Sequence, residues 1–248
     1  MRLTVVGAGP AYSDVRGAVG ACYLVRSGDR AMALDLGHGA FAGLAARFPP
    51  EQLETVAISH LHPDHFVDLV PLRHYLRYHV SPPGRVRVDA HSDLVERIDA
   101  LHAQPGFTAD ALDVVPLEPG VRAVGPFTLE AARVTHTADS FGIRVAEGPN
   151  TPGLVYSGDV GVAGDLRPLV RPGDTLLVEV SFGPGPVPPG AAHLEGPAVG
   201  TLASESGAAR VLLTHLLMGR DPGATIRSVE ARFRGPVELV GPGFETEV

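Results

Sequence analysis

Ser59-His60-Leu61-His62-Pro63-Asp64-His65 packs three imidazoles and a carboxylate into the six positions 60–65. The stretch follows Val56-Ala57-Ile58, a short apolar run of the kind that forms a buried strand. His60 and His62 are two apart, so on extended backbone both rings point to the same side. Pro63 suits the first position of a helix, which puts Asp64 and His65 in its opening turn. This array can serve two ions, His60 and His62 on one and Asp64 with His65 on the other. Imidazole with carboxylate suits zinc, with manganese or iron as alternatives.

Outward from this stretch the same pattern recurs. Ala131–Thr135 leads to His136, Leu154–Gly158 leads to Asp159, and Val211–Thr214 leads to His215. Leu176–Phe182 runs into a proline-rich loop, Gly183–Ala192, and then His193. Each polar residue stands just past the C-terminal end of an expected strand, where open α/β sheets place their sites. Further strands are expected at 1–7, 19–26, 31–36, 85–89, 112–117, 127–135, 141–146, 174–180 and 236–240. Helices are expected at 37–47, 66–79, 93–103, 163–170, 195–206 and 223–233. Strand pairs mixed with single crossover helices favour sheets layered between helices over a purely parallel sheet.

Composition narrows the function classes. The 248 residues include 20 basic side chains, all Arg, and 28 acidic ones, so 20 − 28 gives a net charge of −8. That balance argues against a general nucleic-acid binder. Hydrophobic residues are 44% of the chain, enough for a sizeable core. No apolar run approaches the ~20 residues a membrane helix needs, and the N-terminus reads as a first strand, not a signal peptide. A single cysteine, Cys22, permits no internal disulfide and reads as a core residue. A cytoplasmic location is the expectation. Arg73, His74, Arg77, His79, Arg85 and Arg87, interleaved with Tyr75 and Tyr78, are the one local basic concentration. They read as a solvated or dimer-facing surface ahead of a substrate rim, and a homodimer is compatible with the sequence. His38 reads as a turn residue, and His91 and His102 as surface residues.

The markers SHLHPDH (59–65), VTH (134–136), YSGD (156–159) and LLTH (212–215) resemble those of the metallo-β-lactamase superfamily over essentially the whole chain. Within it the chain is most similar to the ribonuclease Z-like and phosphodiesterase branch. Phe66-Val67-Asp68-Leu69 stands where glyoxalase and lactonase relatives carry Gly-Gly, and the opening LTVVGAG, ACYLV and LDLGHG and the late AHLEGPAVGTLA match that branch. The first loop departs from the family, reading Gly7-Ala8-Gly9-Pro10-Ala11-Tyr12 in place of a Gly-Ser/Thr-rich segment.

The resemblance implies a four-layer αββα sandwich, α/β in class, formed by one domain over 1–248 whose halves meet near residue 125. It implies two divalent metal ions: one on His60, His62 and His136, the other on Asp64, His65 and His215, with Asp159 bridging. His193 is the implied proton donor or phosphate contact, oriented by Glu179 or Glu195. The expected reaction is attack by a metal-bridging hydroxide on a small anionic phosphodiester, cyclic nucleotides included. The alternatives are a tRNA 3′-processing endonuclease and a lactone or carboxyl-ester hydrolase. His136 and Asp159 are 23 positions apart, which leaves no room there for a tRNA-binding arm.

Overall fold

Alternating apolar runs and Gly/Pro turns break the chain into fourteen short strands, described for residues 1–248 in a computed structural model. The first sheet is built from β1 (Arg2–Gly7), β2 (Cys22–Ser27), β3 (Arg30–Leu34), β4 (Val56–Ala57), β5 (Val86–Ala90) and β6 (Leu112–Pro116). The second holds β7 (Gly120–Val124), β8 (Phe127–Val134), β9 (Ser140–Ala146), β10 (Leu154–Tyr156), β11 (Thr175–Glu179), β12 (Arg210–Thr214) and β13 (Val237–Leu239). The last strand, β14 (Glu245–Glu247), returns to the first sheet and pairs antiparallel with β1. Each sheet is therefore mixed and seven-stranded, in the orders β14-β1-β2-β3-β4-β5-β6 and β13-β12-β11-β10-β9-β8-β7.

Two-sided burial explains the layering. β2 is buried on both faces: Cys22 and Leu24 face the outer helices, while Tyr23 and Val25 face the second sheet. The outer layer on the first sheet contains α1 (Phe41–Ala45), α2 (Pro63–Phe66), α3 (Leu69–Tyr78) and α4 (Leu94–His102). Leu44, Phe66, Leu72, Leu76, Leu94 and Ile98 supply its apolar stripe. On the second sheet, α5 (Gly196–Ser206) and α6 (Pro222–Glu230) bury Val199, Leu202 and Val229. The sheet-to-sheet core includes Tyr23, Leu34, Phe127, Phe141, Ile143, Tyr156 and Leu212. The architecture is the four-layer αββα sandwich, and no helix is long and apolar enough to cross a membrane.

Several elements differ from expectation. The helix expected over 66–79 is split in two. Asp68 donates its amide to the Leu36 carbonyl, and its carboxylate accepts from the Phe41 amide. Pro71 also has no amide for a continuous helix. The helix expected over 163–170 is one 3-10 turn, Ala163–Leu166, ahead of Pro168. Strands β7 and β14 were not expected. β7 is short and flanked by glycines, and β14 is a polar edge strand whose pairing comes only from meeting β1. The chain passes between sheets at 117–119, earlier than residue 125.

Candidate metal centre

Every expected metal donor stands just past a strand or in the short helix that follows one. His60 and His62 follow β4, and Asp64 and His65 sit in α2. His136 follows β8, Asp159 follows β10 and His215 follows β12. The structure gathers them into two sets: His60, His62, His136 and Asp159, and Asp64, His65 and His215, each with donor atoms within 4.8 Å of one another. Asp159 lies between the sets. Its Oδ2 is 3.7 Å from His60 Nε2 and 3.7 Å from His136 Nε2. Its Oδ1 is 3.4 Å from His65 Nε2 and 3.5 Å from His215 Nε2. Asp64 Oδ2 closes the second set, 3.4 Å from His215 Nε2 and 3.6 Å from His65 Nε2.

The outward-facing nitrogens of His60, His65, His136 and His215 have partners, which leaves the inward ones free to coordinate. His65 Nδ1 donates to Asp35 Oδ2 at 2.7 Å, and His136 Nδ1 donates to the Ala192 carbonyl at 2.8 Å. His60 Nδ1 lies 3.1 Å from Ser59 Oγ, and His215 Nδ1 lies 3.2 Å from Ser181 Oγ. Two inward atoms, His65 Nε2 and Asp159 Oδ1, are buried with no hydrogen-bond partner. Burying polar groups without a partner is costly, and a cation between them supplies the missing partner. The donor set fits divalent metal ions.

At His60, His62 and Asp159 the electrostatics agree with that fit, whereas Asp159 and Asp35 outweigh burial at His65 and raise its pKa. Burial pushes the His60 imidazole well below its ordinary pKa, and the neighbouring His65 adds to the effect. Burial, then His136, lowers His62 as well. Burial alone would raise Asp159, but His215 and His65 outweigh it and hold the carboxyl well below the usual range. Neutral imidazoles and ionised carboxylates are the forms that bind metal.

His193 lies beside this cluster on the far side of the proline-rich loop. Its Nδ1 donates to Glu179 Oε1 at 2.9 Å, and its ring centroid is 4.8 Å from that of His136. Burial would lower its pKa, but the bond to Glu179 raises it above the ordinary imidazole value. Glu179 is buried and held by the amide and hydroxyl of Ser181 at 2.8 and 2.7 Å. Between the two carboxylates that the sequence left open, Glu179 is the partner. Glu195 instead precedes α5 and accepts from the Val187 amide.

A family model described as "Beta-lactamase superfamily domain" matches residues 34–216, the span that carries all these donors. The "Uncharacterized protein Rv1339" of Mycobacterium tuberculosis is 33% identical over 217 residues, covering 84% of this chain and 78% of its own. The chain belongs to the metallo-β-lactamase superfamily. Another member, the "Probable metallo-hydrolase YhfI" of Bacillus subtilis, is 27% identical over 251 residues, with both chains covered in full. The crystal structure of YhfI superposes with a TM-score of 0.88, at 24% identity over 100% of this chain and 99% of that one. A diphosphatase of the PhnP family (TM-score 0.75, 15% identity, 100% and 97% covered) shares the fold. So does human tRNase Z short form (TM-score 0.73, 19% identity, 100% and 99% covered). The chain thus shares its fold with a probable metallo-hydrolase and with ribonuclease Z-like neighbours.

One residue next to the superfamily's histidine cluster was missed from sequence. Asp35, just past β3, is fully buried. It accepts from the Ser59 amide (2.6 Å) and hydroxyl (2.7 Å), from the Tyr156 hydroxyl (2.6 Å) and from His65. Its left-handed backbone (φ 58°) is uncommon away from glycine. An acid ending a buried strand was the one sequence signal for it. The basic concentration is in part solvated, with Arg77, Tyr78, His79 and Arg85 exposed, but its arginines are paired with acids. Arg73 is 3% exposed, stacks over Phe107 and pairs with Asp110 at 2.6 Å. Arg77 shares Asp110, Arg85 pairs with Asp113, and Arg87 with Asp89. His38 sits in the turn after β3, His91 faces Asp139 at 3.1 Å, and His102 is exposed and stacked on Phe107.

Proposed function

We propose that the chain is a dinuclear-metal phosphodiesterase acting on small anionic diesters, cyclic nucleotides among them. The observation that carries this reading is the split of Asp159, one oxygen toward each histidine set. His60, His62 and His136 would hold one divalent ion and Asp64, His65 and His215 the other, with Asp159 able to serve both. Zinc suits these donors, with manganese or iron also compatible. Bound ions supply Lewis-acid polarisation and activated water to an in-line displacement.

The chain's own residues do the rest. Asp35 fixes the His65 ring, and Ser59 relays the same carboxylate to His60. Asp64 meets His215 Nε2 at 3.4 Å. His193, kept protonated by Glu179, donates its proton to the departing alkoxide.

A ribonuclease Z-type activity on tRNA is the runner-up, and a lactone or carboxyl-ester hydrolase follows it. Between His136 and Asp159 the chain makes only β9, β10 and their connection. The arginines that might have held a polyanion are paired with acids, so nucleic acid is a poor partner and a small diester a better one. The deciding assay offers the protein, with and without zinc or manganese, a bis-aryl phosphodiester, cyclic nucleotides, a tRNA precursor and a lactone. Metal-dependent turnover of the small diesters is expected. Efficient cleavage of the tRNA precursor alone would reverse the ranking.

A further inference from the structure

Next to the histidine–aspartate cluster opens a cleft of about 380 Å³ that the proposed reaction leaves unused. One wall is the loop between β1 and β2, and the other is the turn 239–242 after β13. His215 and Leu216 line it between them. The lining is aliphatic or glycine apart from Ser13, Arg16 and His215, and it contains no carboxylate. In a chain of net charge −8, an acid-free cleft with one fixed positive charge stands out.

Both walls are anchored to the element that carries His215. The His215 amide donates to the Ala8 carbonyl at 3.1 Å, and Gly9 donates to Val19 at 2.9 Å to close the loop. Val240 donates to Leu213 at 2.9 Å, and Gly243 to Val5 at 2.8 Å. The cleft is therefore preformed, as small-molecule sites usually are. Tyr12 and Val15 at the loop's tip are 59% and 67% exposed, so the approach is also apolar.

The contents of the cleft narrow its occupant. His193 does not line it, so the leaving oxygen that takes His193's proton lies outside the cleft. A plain alkyl chain would match the walls but leave Arg16 without a partner. A sugar alone would meet too few polar groups. A planar heteroaromatic ring satisfies both: its edges and one face meet aliphatic and glycine surfaces, and its other face takes a guanidinium.

Resting on the diester reading above, we propose that this cleft is the specificity subsite for the ester group that stays on phosphorus. It takes a nucleoside, with the base between the two walls and Arg16 against the base.

The test compares two esters with one leaving group: methyl p-nitrophenyl phosphate and the p-nitrophenyl ester of thymidine 5′-phosphate. The metal-loaded wild type should favour the nucleoside ester by about tenfold or more in kcat/KM, mostly through KM. Gly241→Phe fills the cleft. A Cβ there meets nothing within 4 Å, and Gly241 has no positive φ, so the ring enters open space without backbone strain. Arg16→Ala removes the cation from an exposed position. Each variant should raise KM for the nucleoside ester about tenfold and leave the methyl ester within about twofold. Equal kcat/KM for both esters in the wild type, or equal losses in the variants, would overturn the subsite.

Calorimetry with thymidine 5′-phosphate and methyl phosphate gives a readout that needs no turnover. Tighter binding of the nucleotide, lost in both variants, upholds the subsite even where neither ester is hydrolysed; that result would remove only the diesterase reading. Equal binding of the two phosphates sinks the subsite even where both esters turn over.

Discussion

In the proposed centre Asp159 is the residue on which the two donor sets would depend, because a carboxylate between two cations offsets their repulsion. Asp159→Ala should leave a cooperatively folded protein that has lost about one of two metal equivalents and most activity, measured by elemental analysis and turnover. Retention of both metals at wild-type rate would dismiss the bridge. His193 differs in kind, since in the proposed reaction it would move a proton. His193→Ala should damage an alkyl phosphodiester far more than a p-nitrophenyl ester, which departs without a proton. The sign of the pH effect follows from Glu179, which raises the His193 pKa. Glu179→Gln lowers it, so less His193 is protonated at neutral pH. The basic limb of the kcat profile for the alkyl substrate should then move to lower pH. An unmoved limb would leave Glu179 with packing alone. His60, His62, Asp64 and His65 were legible because they are adjacent in sequence and too dense in donors to be a plain turn. Asp35 was not, because nothing local tells an acid buried under four donors from one that ends a strand in solvent.

Among the elements, the second sheet carries an ion pair with no catalytic role. Arg144 on β9 donates to Asp174 from Nε and Nη2, both at 2.8 Å, and both side chains are buried. Asp174 also accepts from the Gly153 and Arg171 amides, tying the turn before β11 to the strands beside it. Breaking a buried pair strands a charge, so Arg144→Ala should cost about 3–5 kcal/mol in denaturant unfolding. Arg144→Met with Asp174→Asn should cost less than Arg144→Ala, because no bare charge remains. If Arg144→Ala falls within ~1 kcal/mol of wild type, the pair carries no such weight. Sequence periodicity found β8, β9, β11 and β12, whose apolar runs are long, and overran where a proline or an outside hydrogen bond ended a helix. It could not find β14, a polar edge that is a strand only because β1 lies alongside.

At the scale of the whole molecule, donors come from both sheets: His60, His62, Asp64 and His65 from the first, His136, Asp159 and His215 from the second. Metal bound as proposed would link the halves, and its free energy would add to folding. With metal at about a hundredfold above its Kd, linkage amounts to about 2.7 kcal/mol for each ion. For a chain of this size that is a Tm drop of roughly 5–10 °C per ion lost on chelation, read by calorimetry, with recovery on adding zinc or manganese. A Tm indifferent to chelator would mean that the clusters hold no ion in the folded protein.

The amino-acid order alone was enough for the donor types, their place at strand ends and the layered α/β class, because these follow from local spacing and hydrophobic period. Folding decided which carboxylate oxygen faces which histidines, that Glu179 and not Glu195 holds His193, that the Arg73–Arg87 segment is neutralised by acids, and that an acid-free cleft opens beside His215. Apart from Arg87–Asp89, those are contacts between residues more than ten positions apart, and their distances exist only once the chain has folded.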